Sequence, residues 1–227
     1  MTVPVPDHQG HRSRLRQRLL DGGDDALLDH ELIEYLLALA IPRRDTKPLA
    51  KALLAEFGGI GGLLSAEPEA IARVPGMGDT SVAALQIVRA AALRLLRAEV
   101  AAKPVLANWQ ALLDYLRASM AHRGNEQVRV LHLNTRNMLI RDEVMSEGSI
   151  DEAALHVREV IRRAIDLGSA AIILVHNHPS GDPAPSRADI DLTRNVIEAG
   201  KRLNIAVHDH VIIGAQGHSS LRALGLM

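Results

Sequence analysis

The sequence predicts two domains of different class: an all-α domain over residues 1–103, and an α/β domain over 104–227 whose mixed sheet is flanked by helices. Three observations carry this. Up to about residue 100, apolar residues recur at helical spacing between Gly and Pro interruptions. Beyond Val128 the period changes, and apolar runs of strand length appear at 128–133, 138–145, 171–175 and 205–213. The stretch from Ala171 to Thr193, AIILVHNHPSGDPAPSRADIDLT, reads as a buried strand, a proline-rich loop and a helix start, and the second domain is organised around it.

Taken in order, the first ten residues carry two prolines and no periodicity, and read as a mobile tail. Arg12, Arg14, Arg16 and Arg18 follow close together, as a solvated face or, alternatively, a phosphate contact. HELIEYLLALA is helical, with Leu32, Leu36 and Leu39 at helix spacing, Asp29 as its cap and Pro42 at its end. Asp45 or Thr46 starts a helix to Phe57, closed by Gly58-Gly59; a short turn spans Gly61 to Leu64, and Ser65 caps SAEPEAIARV. The turn at 74–78, Val-Pro-Gly-Met-Gly, leads into a long helix through Leu96 capped by Asp79 or Thr80. Lys103-Pro104 marks the domain boundary, since proline cannot continue the helix before it. The second domain then reads as helix 108–120, a hairpin of 128–133 and 138–145 around Asn134 to Asn137, helix 152–167, the Ala171 strand, helix 189–203 and strand 205–213.

Composition sets the limits. A chain of 227 residues with 47% apolar content can bury one large or two small cores, built from Leu, Ile, Val and Ala because aromatics are only 2%. Cysteine is absent, which excludes disulfides and cysteine-ligated zinc and leaves His and carboxylates as metal ligands. Without a signal peptide or an apolar run of about 18 residues, a soluble cytoplasmic protein with no membrane partner is expected. Net charge is −1, with 13 basic and 13 acidic residues up to Lys103 and 13 and 14 beyond, so any DNA contact must come from a local patch. Nothing in the sequence sets an oligomeric state.

Side chains two apart on a strand share a face, so His176 and His178 point at one object, and Asp189 in the first turn of the next helix folds back towards it. Two imidazoles and one carboxylate make an open zinc site whose fourth tetrahedral position is left for water. Ser186-x-x-Asp189 is also a capping box, but a cap alone does not explain the His-x-His before it. His208 and His210 repeat the spacing with no carboxylate following, and read as structural or as supporting a ligand from behind. Asp182 and Asn177 are expected to hold the loop through side-chain to backbone bonds, with substrate contact as the alternative. Arg158 reads as a surface salt bridge, with a sheet-edge contact as its alternative.

The string HNHPSGDPAPSRAD resembles the JAMM (MPN+/JAB) metal signature, His-x-His, seven residues, Ser, two residues and Asp, in the form carried by the bacterial RadC family. The resemblance implies a cytidine deaminase-like α/β domain holding Zn2+, and its upstream glutamate matches Glu126 in GNEQVRVLHLN. Glu126 is then expected to act as general base and later acid beside the metal, with Ser186 donating to the tetrahedral oxyanion. The bond cleaved would be an amide in a protein or peptide substrate, peptide or isopeptide. The block from Arg12 to Arg97, including ALAIPRRDTKPLAKALLAEFGG, resembles the RadC N-terminal region. Its 74–78 turn resembles a helix-hairpin-helix module, in which the amides around Gly76 and Gly78 meet a DNA phosphate; a plain turn between packed helices is the alternative. The leading expectation is therefore a zinc-dependent metallopeptidase or isopeptidase. The runner-up is a DNA-binding accessory protein linked to repair or recombination with a structural metal, and the third a metal-dependent nuclease. The adjacent His-Asn-His is a coincidence of letters with the HNH nucleases, which spread those residues over a hairpin and a helix.

Overall fold

The computed structural model describes residues 7–148 and 156–227. Contacts divide the chain into two compact units, 1–91 and 92–227, so the division falls inside a helix instead of at Lys103-Pro104. The reason is local: Leu96 and Val100 at the end of that helix pack into the second unit's core.

The first unit contains α1 (Asp7–Gly22), α2 (Asp29–Ala40), α3 (Lys47–Glu56), α4 (Ile60–Ser65), α5 (Pro68–Ala72) and the first part of α6 (Asp79–Ala102). Residues 7–10 of the expected tail are thus helical, and the rest of it lies outside the described residues. The core joins Ile33, Leu37, Leu49, Leu53, Leu63, Ile71, Val82 and Leu85. On α2 the buried stripe runs through Ile33 and Leu37, one position beyond the expected one, and Leu39 is 68% exposed. Caps differ as well. The Glu31 carboxylate accepts from the Leu28 amide, so Leu28 precedes the helix where Asp29 was expected to cap it. Ser65 is buried in the last turn of α4, and Glu67 precedes α5, because Pro68 can stand in a first helical turn. Arg12 donates to the carbonyls of Ile41 and Arg44, and Arg18 grips Glu31 at 2.7 Å and 2.8 Å. These two arginines bind within the unit and do not form a uniformly solvated face.

The second unit carries α7 (Trp109–Met120), β1 (Glu126–Leu133), β2 (Leu139–Gly148), α8 (Val157–Asp166), β3 (Ala171–Asn177), α9 (Arg187–Lys201), β4 (Ala206–Gly214) and β5 (Gly217–Ser220). The part of the expected 152–167 helix before His156 lies outside the described residues. The sheet has the order β2-β1-β3-β4-β5, with β3 and β4 parallel and the other neighbours antiparallel. β5, the pairing of GHSS onto β4, adds a strand to the expected set. Strand alternation sorts the core into two layers. Leu131, Leu133, Ile173, Val175, Val211 and Ile213 face α7, while Val130, Ile172 and Leu174 face α8 and α9. Positions of even number on β1 and β3 therefore look towards α9. Glu126, His176 and His178 inherit that direction, and this places the site. Among the described residues no helix is long and apolar enough to cross a membrane.

Candidate metal centre

β3 is a buried run that ends, as expected, in His176 and Asn177, and His178 follows in the first loop residue. The proline-rich loop returns the chain to α9, whose capping box is formed in full. Ser186 Oγ accepts from the Asp189 amide at 3.2 Å, and the Asp189 carboxylate accepts from the Ser186 amide at 2.8 Å. The box turns the Asp189 side chain back to β3. His176 Nε2 and His178 Nε2 stand 2.9 Å apart; Asp189 Oδ1 lies 3.3 Å from the first and Asp189 Oδ2 lies 3.8 Å from the second. The three expected ligands are the group of His and acid side chains among the described residues whose donor atoms, all within 4.8 Å, could share one ion.

Hydrogen placement follows from the partners behind the rings. The single proton of Thr193 goes to the Asp189 carbonyl (2.5 Å), so its Oγ1 accepts from His210 Nδ1 at 2.6 Å. His210 Nε2 is left with a lone pair, which accepts from His176 Nδ1 at 2.8 Å. His178 Nδ1 donates to the Asp182 carbonyl at 2.9 Å. With both Nδ1 atoms protonated, both Nε2 atoms present lone pairs to each other and to a carboxylate. Such a cluster of acceptors is satisfied by a cation. Ligands at about 2.0–2.1 Å from zinc in a tetrahedron lie roughly 3.3–3.4 Å apart, close to the spacing of these nitrogens and carboxylate oxygens, and imidazole and carboxylate are donors that zinc accepts, so the residues fit the ion. Burial holds His176 well below the usual histidine range, at about 4, against the opposing pull of Asp189, and His210 falls to about 3 for the same reason. His176 is thus neutral at pH 7, the form a ligand requires, and so is His210 behind it.

Glu126 opens β1 on the same face. Burial raises its carboxyl above the ordinary range, with the charge of His178 opposing the rise and that of Asp189 adding to it. A carboxyl whose pKa is raised holds a proton more readily than a free one, which makes Glu126 a candidate for proton transfer. Ser186 Oγ donates to Asp189 Oδ2 at 2.6 Å, so its hydrogen lies at the edge of the ligand group. Of the remaining expectations, Asp182 does hold the loop, accepting from the Ala184 amide at 3.0 Å. Asn177 does not: its side chain bonds the Gln127 amide in β1 and the Asn125 carbonyl just before it instead. His208 is tied to Asn137 at 2.7 Å, and Arg158 pairs with Glu159 at 3.3 Å, both structural. Sequence reasoning missed Thr193, although it stands four residues, one helical turn, after Asp189 on a helix already oriented by its ligand.

Gly76 and Gly78 belong to the helical unit. Gly76 has φ 98°, which a side chain rarely adopts, and a Cβ there would lie 2.8 Å from an Arg44 guanidinium nitrogen. The Gly78 amide, one residue before α6, donates to Ser81 Oγ at 2.9 Å and is therefore engaged within the chain.

A mixed sheet between helices, with an open His-x-His and Asp group at the end of a central strand, defines a JAB-type domain. Comparison with known families agrees: the RadC-like JAB domain matches residues 106–226, and the UPF0758 N-terminal domain matches residues 8–83. The chain belongs to the RadC family.

Proposed function

We propose that the second unit is a zinc-dependent amide hydrolase, with a protein or peptide carrying a peptide or isopeptide bond as substrate. The observation that carries this reading is the convergence of His176 Nε2, His178 Nε2 and the Asp189 carboxylate on one point, with the Nδ1 atom of each ring engaged by a hydrogen-bond partner behind it. His176, His178 and Asp189 would hold the ion. Bound there, zinc supplies Lewis acidity that makes water a usable nucleophile near pH 7. Glu126 accepts a proton from that water as its oxygen bonds to the amide carbon. The C–N bond then breaks, and Glu126 returns the proton to the leaving nitrogen, so an acid and an amine form and Glu126 is regenerated. Ser186 turns its hydroxyl proton from Asp189 to the tetrahedral oxygen.

The test begins with metal analysis of purified protein beside His178→Ala. One zinc per chain, lost in the variant, supports the site; a folded, metal-free wild type refutes it. A pool of fluorogenic peptides and ε-linked isopeptides then compares wild type with Glu126→Gln. The variant should keep its zinc and lose turnover, and equal rates would remove Glu126 from the chemistry.

A second reading concerns the helical unit alone, as a DNA-binding module. Supporting it is the Arg44 guanidinium packed over the positive-φ Gly76, which sets a cation beside the turn before α6. Duplex binding by the full chain should weaken steeply with salt and lose about one unit of slope in Arg44→Ala. Absence of binding at low salt would dismiss it.

A further inference from the structure

Between the two histidines stands a residue that the proposed chemistry leaves unused. Asn177 is fully buried, and alternation turns its side chain away from the ligand face. The antiparallel ladder between β1 and β3 ends at the pair Val128 and His176. One position further on, the Asn177 side chain continues it. Its Oδ1 accepts from the Gln127 amide at 2.9 Å, and its Nδ2 donates to the Asn125 carbonyl at 3.1 Å. A primary amide carries one acceptor and a donor in a plane, as a peptide group does, so it supplies the rung that the departing β3 backbone cannot.

The two main-chain groups it grips flank a single residue, Glu126. In an extended strand the carbonyl before a residue and the amide after it point to one side, and the residue's own groups to the other. On that other side Glu126 is paired with Gly148 of β2. Its backbone is thus held from both neighbouring strands. Its carboxylate, on the alternate face, is left to be aimed at the metal ligands. We propose that Asn177 is a positioning residue for Glu126, locking the proton carrier to the same strand end that presents His176 and His178. The residue type follows from the task. Aspartate lacks the donor, serine cannot span both groups, and glutamine is one methylene too long. One strand terminus would then set the distance between base and ligands in a single element, with the ligands on one face and the brace for the base on the other.

This rests on the reading of Glu126 given above, and the experiment separates the two. The full chain is loaded with Co2+, whose visible absorption reports ionisation at the ion without any substrate. The pH midpoint of the spectral change is recorded for wild type, Glu126→Gln, Asn177→Ala and the double variant, with near-ultraviolet circular dichroism to confirm packing. Asn177→Ser serves as the smaller perturbation should alanine unfold the domain. Glu126→Gln is expected to move the midpoint by roughly half a unit or more. Asn177→Ala or Asn177→Ser should move it in the same direction with Co2+ affinity within threefold of wild type, and the double variant should move no further than Glu126→Gln alone. A folded Asn177 variant that titrates like wild type while Glu126→Gln shifts overturns the positioning role and leaves the hydrolase reading standing. Full additivity in the double variant overturns it too. A wild type that takes no Co2+, or a Glu126→Gln indistinguishable from wild type, overturns the hydrolase reading and this inference with it.

Discussion

Replacing His210 with leucine should weaken zinc binding by about 10- to 100-fold while leaving the domain folded. The magnitude comes from where one proton sits. In the wild type, His210 Nε2 holds the His176 proton on Nδ1 at 2.8 Å, and His210 is itself held by Thr193 at 2.6 Å. Leucine provides no acceptor. The metal-free variant has an escape, because His176 can move its proton to Nε2 and donate to His178 Nε2, 2.9 Å away. Zinc binding removes that escape: Nε2 must be bare, so an N–H on Nδ1 is left without a partner in a side chain 2% exposed. A buried unsatisfied donor costs about 1–3 kcal/mol, or roughly one to two decades of affinity at 1.36 kcal/mol each, in agreement with the first figure. Competition against a chromophoric chelator measures the affinity, and urea unfolding in excess chelator measures the fold. His210→Gln, which offers a carbonyl oxygen, should recover part of the loss. An affinity within twofold of wild type in folded His210→Leu would refute the claim that this ring sets the tautomer of His176.

Two further outcomes follow from the same neighbourhood. In chelator, stability should fall with acidity. Burial depresses His176 to about 4 and His210 to about 3 in the folded chain, so the unfolded chain binds more protons below its ordinary value of about 6.5. Their contribution is complete above pH 6.5 and is lost as pH falls towards 4, with a slope approaching about 1.4 kcal/mol per unit for each ring; urea midpoints equal at pH 7.5 and pH 5 would contradict it. Gly214→Ala should weaken both zinc binding and stability, the latter by about 1–3 kcal/mol, since its Cβ would lie 2.2 Å from the Gly181 carbonyl oxygen and 3.1 Å from the Pro183 nitrogen. The loop would have to move, and with it the Asp182 carbonyl that fixes His178; unchanged zinc titration and melting temperature would show that the loop can yield.

The grouping of His176, His178 and Asp189 was legible because these residues are close in sequence. His176, His178 and Asp189 sit at a strand end and a helix start, two places where composition alone marks the boundary, and strand alternation supplies their common face. The supporting groups were less legible because they depend on register. His210 becomes the partner of His176 only when β4 lies parallel to β3 with Leu174 beside His210, and Asn177 reaches Gln127 only because β1 overruns the ladder by two residues. β5 escaped notice since Gly217 to Ser220 has neither length nor apolar alternation, and its pairing with β4 is settled by a two-residue turn. In the helical unit, the α2 stripe shifted by one position because Leu32, Ile33, Leu36, Leu37 and Leu39 offer more than one apolar face, and tertiary packing chose Ile33 and Leu37.

The ligands also lie near one another along the chain, and that determines what an ion does to the whole molecule. His176 and Asp189 are 13 positions apart, so a bound ion acts as a cross-link over a short segment that the Ser186 box and the Asp182 bonds already restrain. A tie closing so few residues restricts the unfolded chain by roughly 3 kcal/mol at most, and the two core layers of the sheet do not pass through it. Stripping the ion should therefore loosen the proline-rich segment and leave the domain standing. Amide exchange would quicken between His178 and Asp189 and stay slow in β1 and β3, so that loss and recovery of the ion become a reversible event confined to one corner of the protein.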